Sequence, residues 1–178
     1  SPEQLVDLYY RSVGHNATFL LNFPVDKDGL IHPIDSANAV NFHKKIQQEL
    51  AINHLKGISP KTDSQQGKHI GKNITDEKYD TYWASKKTKG ASVEFQLGKA
   101  KSITRLMLQE YIPLGQRVKA FSVYYLQGKN WVKLDPKEET TTIGYKRILR
   151  FDKITTNGIR VVFDDARGCP CINSIAAF

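Results

Sequence analysis

The sequence predicts a mainly β protein, a jelly-roll β-sandwich that is preceded by a helix–strand–helix unit. Two observations lead to this prediction. Residues 69–178 consist of short apolar runs separated by turn residues, and no helical spacing interrupts them. Residues 1–57 instead contain two helical patterns with one unbroken apolar run between them. We therefore divide the chain into an α/β unit at 1–57, a linker at 58–68 and a sandwich at 69–178.

The first helix is predicted from its beginning and its end. Ser1, followed by Pro2 and Gln4, has the form of a capping box with proline at the first helical position. Gly14 stands where a C-terminal glycine belongs. The apolar residues between these ends share one helical face: Leu5, Leu8, Tyr9 and Val13. The pattern indicates a short helix with one buried side.

Residues 17–23 are apolar without alternation, which is typical of a strand buried on both faces in a parallel sheet, and Pro24 ends the run. A second helix is predicted to begin at Asp35 or Ser36. Such a strand needs neighbours on both edges, yet no other strand of this type follows. Either the unit is the end of a larger α/β domain, or the strand pairs with the downstream sheet.

The sandwich is predicted from seven candidate strands after the polar segment 58–68, whose Pro, Ser and Gly residues are typical of a linker. Residues 127–130 supply a hairpin connection. The candidate strands are Ser92–Leu97, Ile103–Glu110, Lys119–Leu126, Trp131–Lys133, Thr140–Phe151, Gly158–Phe163 and Cys171–Phe178. Short strands at this density favour a jelly roll.

Composition excludes several classes of protein. No apolar run approaches the roughly 20 residues that span a bilayer. The net charge is +8, but the lysines are scattered in short groups and no nucleic-acid motif accompanies them, so we expect no nucleic-acid partner. Cys169 and Cys171 are too close for an unstrained disulfide and lack the second pair of a zinc site. We expect two free thiols.

The sequence contains no catalytic constellation. It has no nucleophile elbow, no zinc-protease motif, no phosphate loop and no dinucleotide fingerprint, so we expect no catalytic residue and no cofactor. Asp164 and Asp165 are adjacent, and side chains of adjacent strand residues point to opposite faces. Asn22 lies near the exit end of the predicted strand, where active sites assemble in α/β units, and is a candidate ligand contact.

The loop at 73–83 offers two interpretations. Its carboxylate and hydroxyl oxygens could hold a hard cation, with Asp76, Asp80 and Thr81 as the candidate ligands. Alternatively, Asx turns fold the loop and Trp83 belongs to the core. Exposed aromatic residues could stack on a sugar face, and the candidates are Tyr79 and Tyr82 of this loop, with Tyr111 and Trp131 elsewhere in the sandwich.

Several blocks resemble the plant- and bacterial-type α-L-fucosidases, in the same order along the chain. The blocks are 8–16, 20–22 and 28–31, which look like the last helix–strand segment of the catalytic (β/α) barrel, and 108–110 with 115–118, and 142–147, which look like two motifs of the following sandwich. The sandwich also resembles discoidin-like, galactose-binding-type domains at 80–83, 93–98 and 158–161. Residues 1–57 are then the remnant of a barrel.

The resemblance implies a parent enzyme that removes terminal α-linked fucose from glycans with retention, using two carboxylates from earlier barrel strands. It further implies an upstream barrel as partner and an extracytoplasmic location, periplasmic or secreted. Calcium-binding discoidin-like modules usually carry Glu in the final strand, where this chain has Ser174, so we expect no metal. The alternative is a stand-alone, lectin-like binding module without catalysis.

The blocks that resemble the fucosidase sandwich contain three charged residues in otherwise apolar or turn-forming stretches: Glu110, Arg117 and Arg147. A charge that is buried in such a stretch needs a partner. We therefore expect a structural cluster in which one carboxylate binds two guanidinium groups.

Overall fold

The computed structural model describes residues 1–178, which form two α-helices followed by seven β-strands. The helices are α1 (Pro2–Ser12) and α2 (Pro33–Glu49), and two 3₁₀-helices span Gly71–Thr75 and Ile112–Leu114. The strands are β1 (Lys61–Thr62), β2 (Trp83–Ala84), β3 (Ala91–Glu110), β4 (Val118–Gln127), β5 (Asn130–Lys133), β6 (Arg147–Ala166) and β7 (Cys171–Ala177).

Both helices begin with the capping chemistry that their sequences provide. The hydroxyl of Ser1 accepts a hydrogen bond from the backbone N–H of Gln4, and the Gln4 side chain accepts one from the Ser1 amino group at 2.7 Å. Helix α2 begins at Pro33, slightly before the predicted start, because the Nδ1 atom of His32 accepts a hydrogen bond from the N–H of Ile34 at 3.2 Å. The predicted capping box of α1 is confirmed.

The strands form the predicted jelly-roll β-sandwich. The strand order is β2-β7-β3-β6-β4-β5, with β1 also paired to β3, and every pairing is antiparallel. The first half of β3 pairs with β1 and β6, whereas its second half pairs with β7 and β6, so this long strand serves both layers. A cluster of 22 buried residues fills the space between the layers.

The strand boundaries differ from the prediction at the two longest strands. Ser92–Leu97 and Ile103–Glu110 are parts of the single strand β3, and Gly158–Phe163 lies within β6. Register shifts between Gln96 and Lys101 let β3 bend without leaving the ladder. Residues 140–146 form no strand, and β6 begins only at Arg147.

The segment 58–68 is part of the sandwich rather than a free linker. Lys61 and Thr62 pair with Glu94 and Val93 of β3. The core cluster also takes in Leu55, which is buried, together with the partly buried Ile58. The polar composition of 58–68 reflects a short edge strand with exposed side chains, because an edge strand needs only backbone groups to pair.

The prediction of a buried strand at 17–23 is wrong. These residues form no strand, and the side chain of Leu20 is 80% exposed. The alternative, in which 17–23 pairs with the downstream sheet, is also absent. The chain contacts the sheet just before this run: His15 forms an isolated bridge with Arg147, and the N–H of Asn16 donates to the carbonyl of Lys146 at 2.9 Å. Without parallel neighbours, the apolar run has nothing to form a ladder with.

A buried tyrosine fixes the helical unit to the sandwich. Tyr10 of α1 is fully buried, and its ring lies beside the guanidinium groups of Arg105 and Arg150, whose Cζ atoms are 5.3 and 4.9 Å from the ring centroid. Its hydroxyl donates to the carboxylate of Glu49 at 2.5 Å, and Arg150 donates to Asp7 at 2.8 Å. Since β3 and β6 place the two arginines directly opposite each other, the ring and the carboxylates separate and neutralise two like charges.

Candidate functional site

Tyr82 and Tyr111 lie together, in a stack of three rings. The Tyr82 ring is 4.0 Å from the His69 ring and 4.3 Å from the Tyr111 ring, nearly parallel to both. Burial raises the pKa of the Tyr82 hydroxyl, which lies 3.2 Å from Nε2 of His69. Both faces of Tyr82 are therefore covered, and this residue cannot stack on a sugar.

Trp131 and Asn22 lie apart from that stack. The guanidinium of Arg160 covers the Trp131 ring at 4.2 Å, and Arg160 also donates to the carboxylate of Glu94 at 2.7 Å. Asn22 lines a cavity of about 290 Å³ between the segment 21–24 and the first turns of both helices. The four predicted carbohydrate contacts therefore do not form one site.

Glu110 holds two loops of the sandwich together. Its carboxylate is buried, and Oε1 accepts hydrogen bonds from the backbone N–H groups of Arg117 at 2.8 Å and Val118 at 2.9 Å. Oε2 accepts from the N–H of Gly144 at 2.8 Å. Burial raises the pKa of Glu110, although these three N–H groups act in the opposite direction.

The predicted cluster of one carboxylate with two guanidinium groups does not form. Arg117 donates from Nη1 to the carbonyl of Cys169 at 3.0 Å. Arg147 is buried, and its Nη2 donates to the carbonyl of Glu139 at 2.6 Å, while its Nε has no partner. Three backbone N–H groups already satisfy Glu110, so no guanidinium is needed there. Each of the three charged residues instead fixes a loop.

Both cysteines are free thiols, as predicted. Cys171 is buried at the start of β7, and its sulfur lies 3.3 Å from Nη1 of Arg117. Burial raises the pKa of the Cys171 thiol more than the neighbouring guanidinium lowers it. The thiol is therefore a packed, protonated group.

The loop around Asp76 folds as an Asx turn. The Asp76 carboxylate accepts hydrogen bonds from the hydroxyl of Thr81 at 2.9 Å and from the N–H of Lys78 at 3.0 Å, whereas Asp80 is exposed. Trp83 is fully buried in the core. The chain brings together no group of three His, Cys, Asp or Glu side chains that could hold a metal ion. The loop geometry thus agrees with the second of the two interpretations.

Asn173 closes this loop, and the sequence analysis missed it. The side-chain amide of Asn173 points at three backbone carbonyls, those of Lys78, Tyr79 and Thr81, at 3.0, 3.1 and 2.7 Å. Three converging carbonyl oxygens form a negative pocket, and here an uncharged N–H₂ group satisfies it. Sequence alone could not show this contact, because the loop and β7 are far apart in the chain.

A cleft of about 430 Å³ adjoins the same loop. One wall is the segment that follows α2, the other is the loop at 77–79, and the floor is the outer surface of β3 and β7. The cleft has both polar and apolar lining residues, among them Tyr79, whose side chain is 64% exposed. Tyr79 is the one residue of this cleft that the sequence analysis considered as a stacking residue, and the cleft contains none of Asn22, Tyr82, Tyr111 and Trp131.

The architecture defines the class of the chain, which is an antiparallel jelly-roll β-sandwich joined to a helical unit. Such folds carry many unrelated functions, so the particular family is identified by comparison. Residues 58–178 match the family profile of the F5/8 type C domain. The chain belongs to this discoidin-like family.

Comparison over the whole chain identifies relatives that are α-L-fucosidases by name. Alpha-L-fucosidase 1 of Arabidopsis thaliana is 30% identical over 183 residues, which is 98% of this chain and 36% of the relative. A provisionally named alpha-L-fucosidase 1 of Oryza sativa subsp. japonica is 32% identical over 181 residues, which is 98% of this chain and 34% of the relative. The chain thus spans about a third of the length of these relatives.

Solved structures agree with that comparison. A GH29 fucosidase of Ruminococcus gnavus in complex with fucose has a TM-score of 0.89 and 30% identity, over 100% of this chain and 36% of that protein. A chitosan-binding module from Paenibacillus has a TM-score of 0.60 at 16% identity, over 70% of this chain and 96% of the module. The second likeness shows the fold alone. Neither helix of this chain is long and apolar enough to cross a membrane.

Proposed function

We propose that this chain is the C-terminal accessory region of an α-L-fucosidase, in which the sandwich supports residues 1–57 as the last part of a catalytic (β/α) barrel that lies upstream. The parent protein would hydrolyse terminal α-L-fucose with retention, using two carboxylates from the upstream part. The names of the relatives support this activity. An extracytoplasmic location belongs to the same proposal.

One observation carries the proposal: the helical unit is fixed to the sandwich but leaves large apolar side chains uncovered. Tyr10 and its charged partners fix the unit on one side. Its exposed aliphatic residues concentrate within residues 20–40: Leu20, Val25, Leu30, Ile31, Ile34 and Val40. A patch of this kind marks a protein interface, and a barrel that lacks its last strand offers the matching edge.

The charges of the chain do not favour a polyanionic partner. Five lysines form ion pairs with carboxylates of the chain: Lys45, Lys56, Lys87, Lys89 and Lys119. The remaining lysines occur singly or in short groups along the sequence, and no nucleic-acid motif accompanies them. We therefore propose the barrel and the fucosylated glycan, and no nucleic acid, as the partners.

The test uses one substitution in two proteins. In the isolated chain, Leu20→Asp should leave the melting temperature unchanged, because Leu20 is 80% exposed. In the product of the complete reading frame, the same substitution should lower soluble yield and turnover of an aryl α-L-fucoside, because the carboxylate would be buried in the barrel. Lys129→Asp, in the exposed turn between β4 and β5, is the control. It should change neither the melting temperature of the isolated chain nor the yield and turnover of the complete protein. Full turnover by the Leu20→Asp parent would contradict the proposal.

A further inference from the structure

The cleft beside β7 has walls that the fold holds in place. On one side, the N–H of His54 donates to the carbonyl of Ala177 at 2.8 Å, and Asn53 accepts from the N–H of the same residue at 3.2 Å. On the other side, Asn173 holds the carbonyls of Lys78 and Tyr79. The cleft is therefore preorganised rather than formed by a mobile loop.

The rim of the cleft contains the one strained residue of this loop. Glu77 has a positive φ of 59°, which is uncommon for a residue with a side chain. In this conformation its carboxylate forms an ion pair with Nζ of Lys56 at 2.6 Å, and both residues line the cleft from opposite walls. Strain of this kind concentrates at sites that position a ligand. The pair also neutralises one charge of each sign at the rim.

The lining groups have the chemistry that a sugar ring requires. Tyr79 offers an exposed aromatic face, and Met107 and Ala176 provide an apolar floor. Gln109 donates from its amide to the carbonyl of Tyr145 at 3.1 Å, which leaves its side-chain oxygen as an acceptor, and the hydroxyl of Ser174 lies beside it in the lining. A pyranose combines apolar C–H faces with a rim of hydroxyl groups, and matches this arrangement.

We propose that this cleft is a binding site for a neutral sugar ring, with Tyr79 as the stacking platform and Gln109 and Ser174 as hydrogen-bonding groups. A volume of about 430 Å³ accommodates one or two rings. The site belongs to the isolated chain and needs neither the barrel nor a metal ion. A test of this site is therefore independent of the proposed fucosidase activity. That activity is tested by turnover of the parent protein.

The chain supplies its own reporter for the test. Met107 is the only methionine and lines the cleft, so labelling with [methyl-¹³C]methionine, with the initiator residue removed, gives a single NMR signal from the site. We expect this signal to shift saturably with at least one neutral sugar among L-fucose, D-galactose, N-acetyl-D-glucosamine and 2′-fucosyllactose. Weak binding in the millimolar range would be sufficient.

Matched tyrosine variants separate the platform from a general effect. Tyr79→Ala should raise the dissociation constant at least tenfold, because stacking is lost, and Tyr79→Phe should retain binding. Tyr145 has a similarly exposed side chain outside the cleft, and Tyr145→Ala should change nothing. Since Tyr79 is exposed, its loss should also leave the melting temperature unchanged.

Three results would overturn the proposal. One is a Met107 signal that does not move with any of the neutral sugars, even when the sugar concentration is raised well above the millimolar range. Another is a shift that Tyr79→Ala leaves unaffected, and the third is a response confined to sulfated or carboxylated sugars, which would indicate charge binding by Lys78. None of these results bears on whether the complete reading frame encodes a fucosidase.

Discussion

At the scale of single residues, backbone N–H groups satisfy the buried carboxylate of Glu110. Glu110 accepts three hydrogen bonds from N–H groups of two loops, and no guanidinium is among its partners. Asn173 is a donor rather than an acceptor, since its side-chain amide donates to three backbone carbonyl oxygens. Both residues convert irregular loops into fixed structure, and both can be tested by changing one atom.

Replacing Glu110 by glutamine should destabilise the sandwich more than removing the buried charge of Arg147. The glutamine amide leaves a buried backbone N–H without an acceptor, which costs about 1–3 kcal/mol. Arg147→Met removes a buried Nε that has no partner. The groups that accept hydrogen bonds from Nη2 of Arg147 belong to Glu139 and Thr141, which are exposed and can bind water instead. Urea denaturation of the two variants measures the difference. A larger loss for Arg147→Met would contradict this ordering.

Asn173→Asp should turn the loop at 78–81 into a site that depends on a cation. A carboxylate among three carbonyl oxygens is repelled, and we expect a loss of about 2–3 kcal/mol in EDTA, as for a buried charge without a partner. Millimolar Ca²⁺ should restore part of that loss, because carbonyl and carboxylate oxygens are its preferred ligands. Thermal melts with and without Ca²⁺ provide the measurement, and the exposed Asn157→Asp is the control. If the Asn173→Asp variant melts at the same temperature in EDTA and in Ca²⁺, the predicted dependence on a cation is wrong.

At the scale of elements, Tyr10 should make the docking of the helices sensitive to alkaline pH. Burial and the hydrogen bond to Glu49 raise the pKa of Tyr10 far above its ordinary value of 10.0. The unfolded chain therefore loses this proton first, and stability decreases as the pH rises from about 10. Tyr10→Phe should be less stable at pH 8 and show a smaller decrease above pH 10. Parallel pH profiles for the two proteins would argue against a docked Tyr10.

Limited proteolysis distinguishes the segment that packs from the segment that does not. Residues 24–32 are exposed throughout, whereas 58–68 includes β1, which is paired with β3. Trypsin should therefore cut first after Lys27, and later within 58–68. Mass spectrometry of the early fragments checks the order. Primary cleavage within 58–68 would restore the interpretation of that segment as a linker.

The sequence predicted elements whose signals are local and missed those that depend on distant neighbours. The capping box at Ser1 and the hairpin between β4 and β5 depend only on nearby residues, and both are present. The composition of the run at 17–23 suits a strand, but no segment of this chain pairs with it. The two-residue strands β1 and β2 were missed because no periodicity exists over two residues.

The candidate site was less predictable than the fold. Aromatic residues were selected as sugar contacts by type, and exposure decides their use: Tyr82 is covered on both faces, whereas Tyr79 is open. The helical docking site depends on Arg105 and Arg150, which only the register between β3 and β6 places opposite each other. Neither stacking nor register can be derived from composition.

At the scale of the whole molecule, the chain combines a sandwich that has its own core with a helical unit that has little. The core cluster has 22 buried residues, whereas residues 20–40 expose several large aliphatic side chains. The proposed accessory role accounts both for this asymmetry and for the likeness to fucosidases over the full length of the chain. The account requires that catalysis lie outside these 178 residues.

Turnover of an aryl α-L-fucoside tests this requirement most directly. The product of the complete reading frame should release the aryl group, and the repurified 178-residue chain should not, at equal molar concentration. Absence of turnover by both proteins would contradict the assignment of the parent as a fucosidase. Turnover by the chain alone that persists through repurification, and that disappears when a carboxylate of this chain is mutated, would contradict the placement of catalysis upstream.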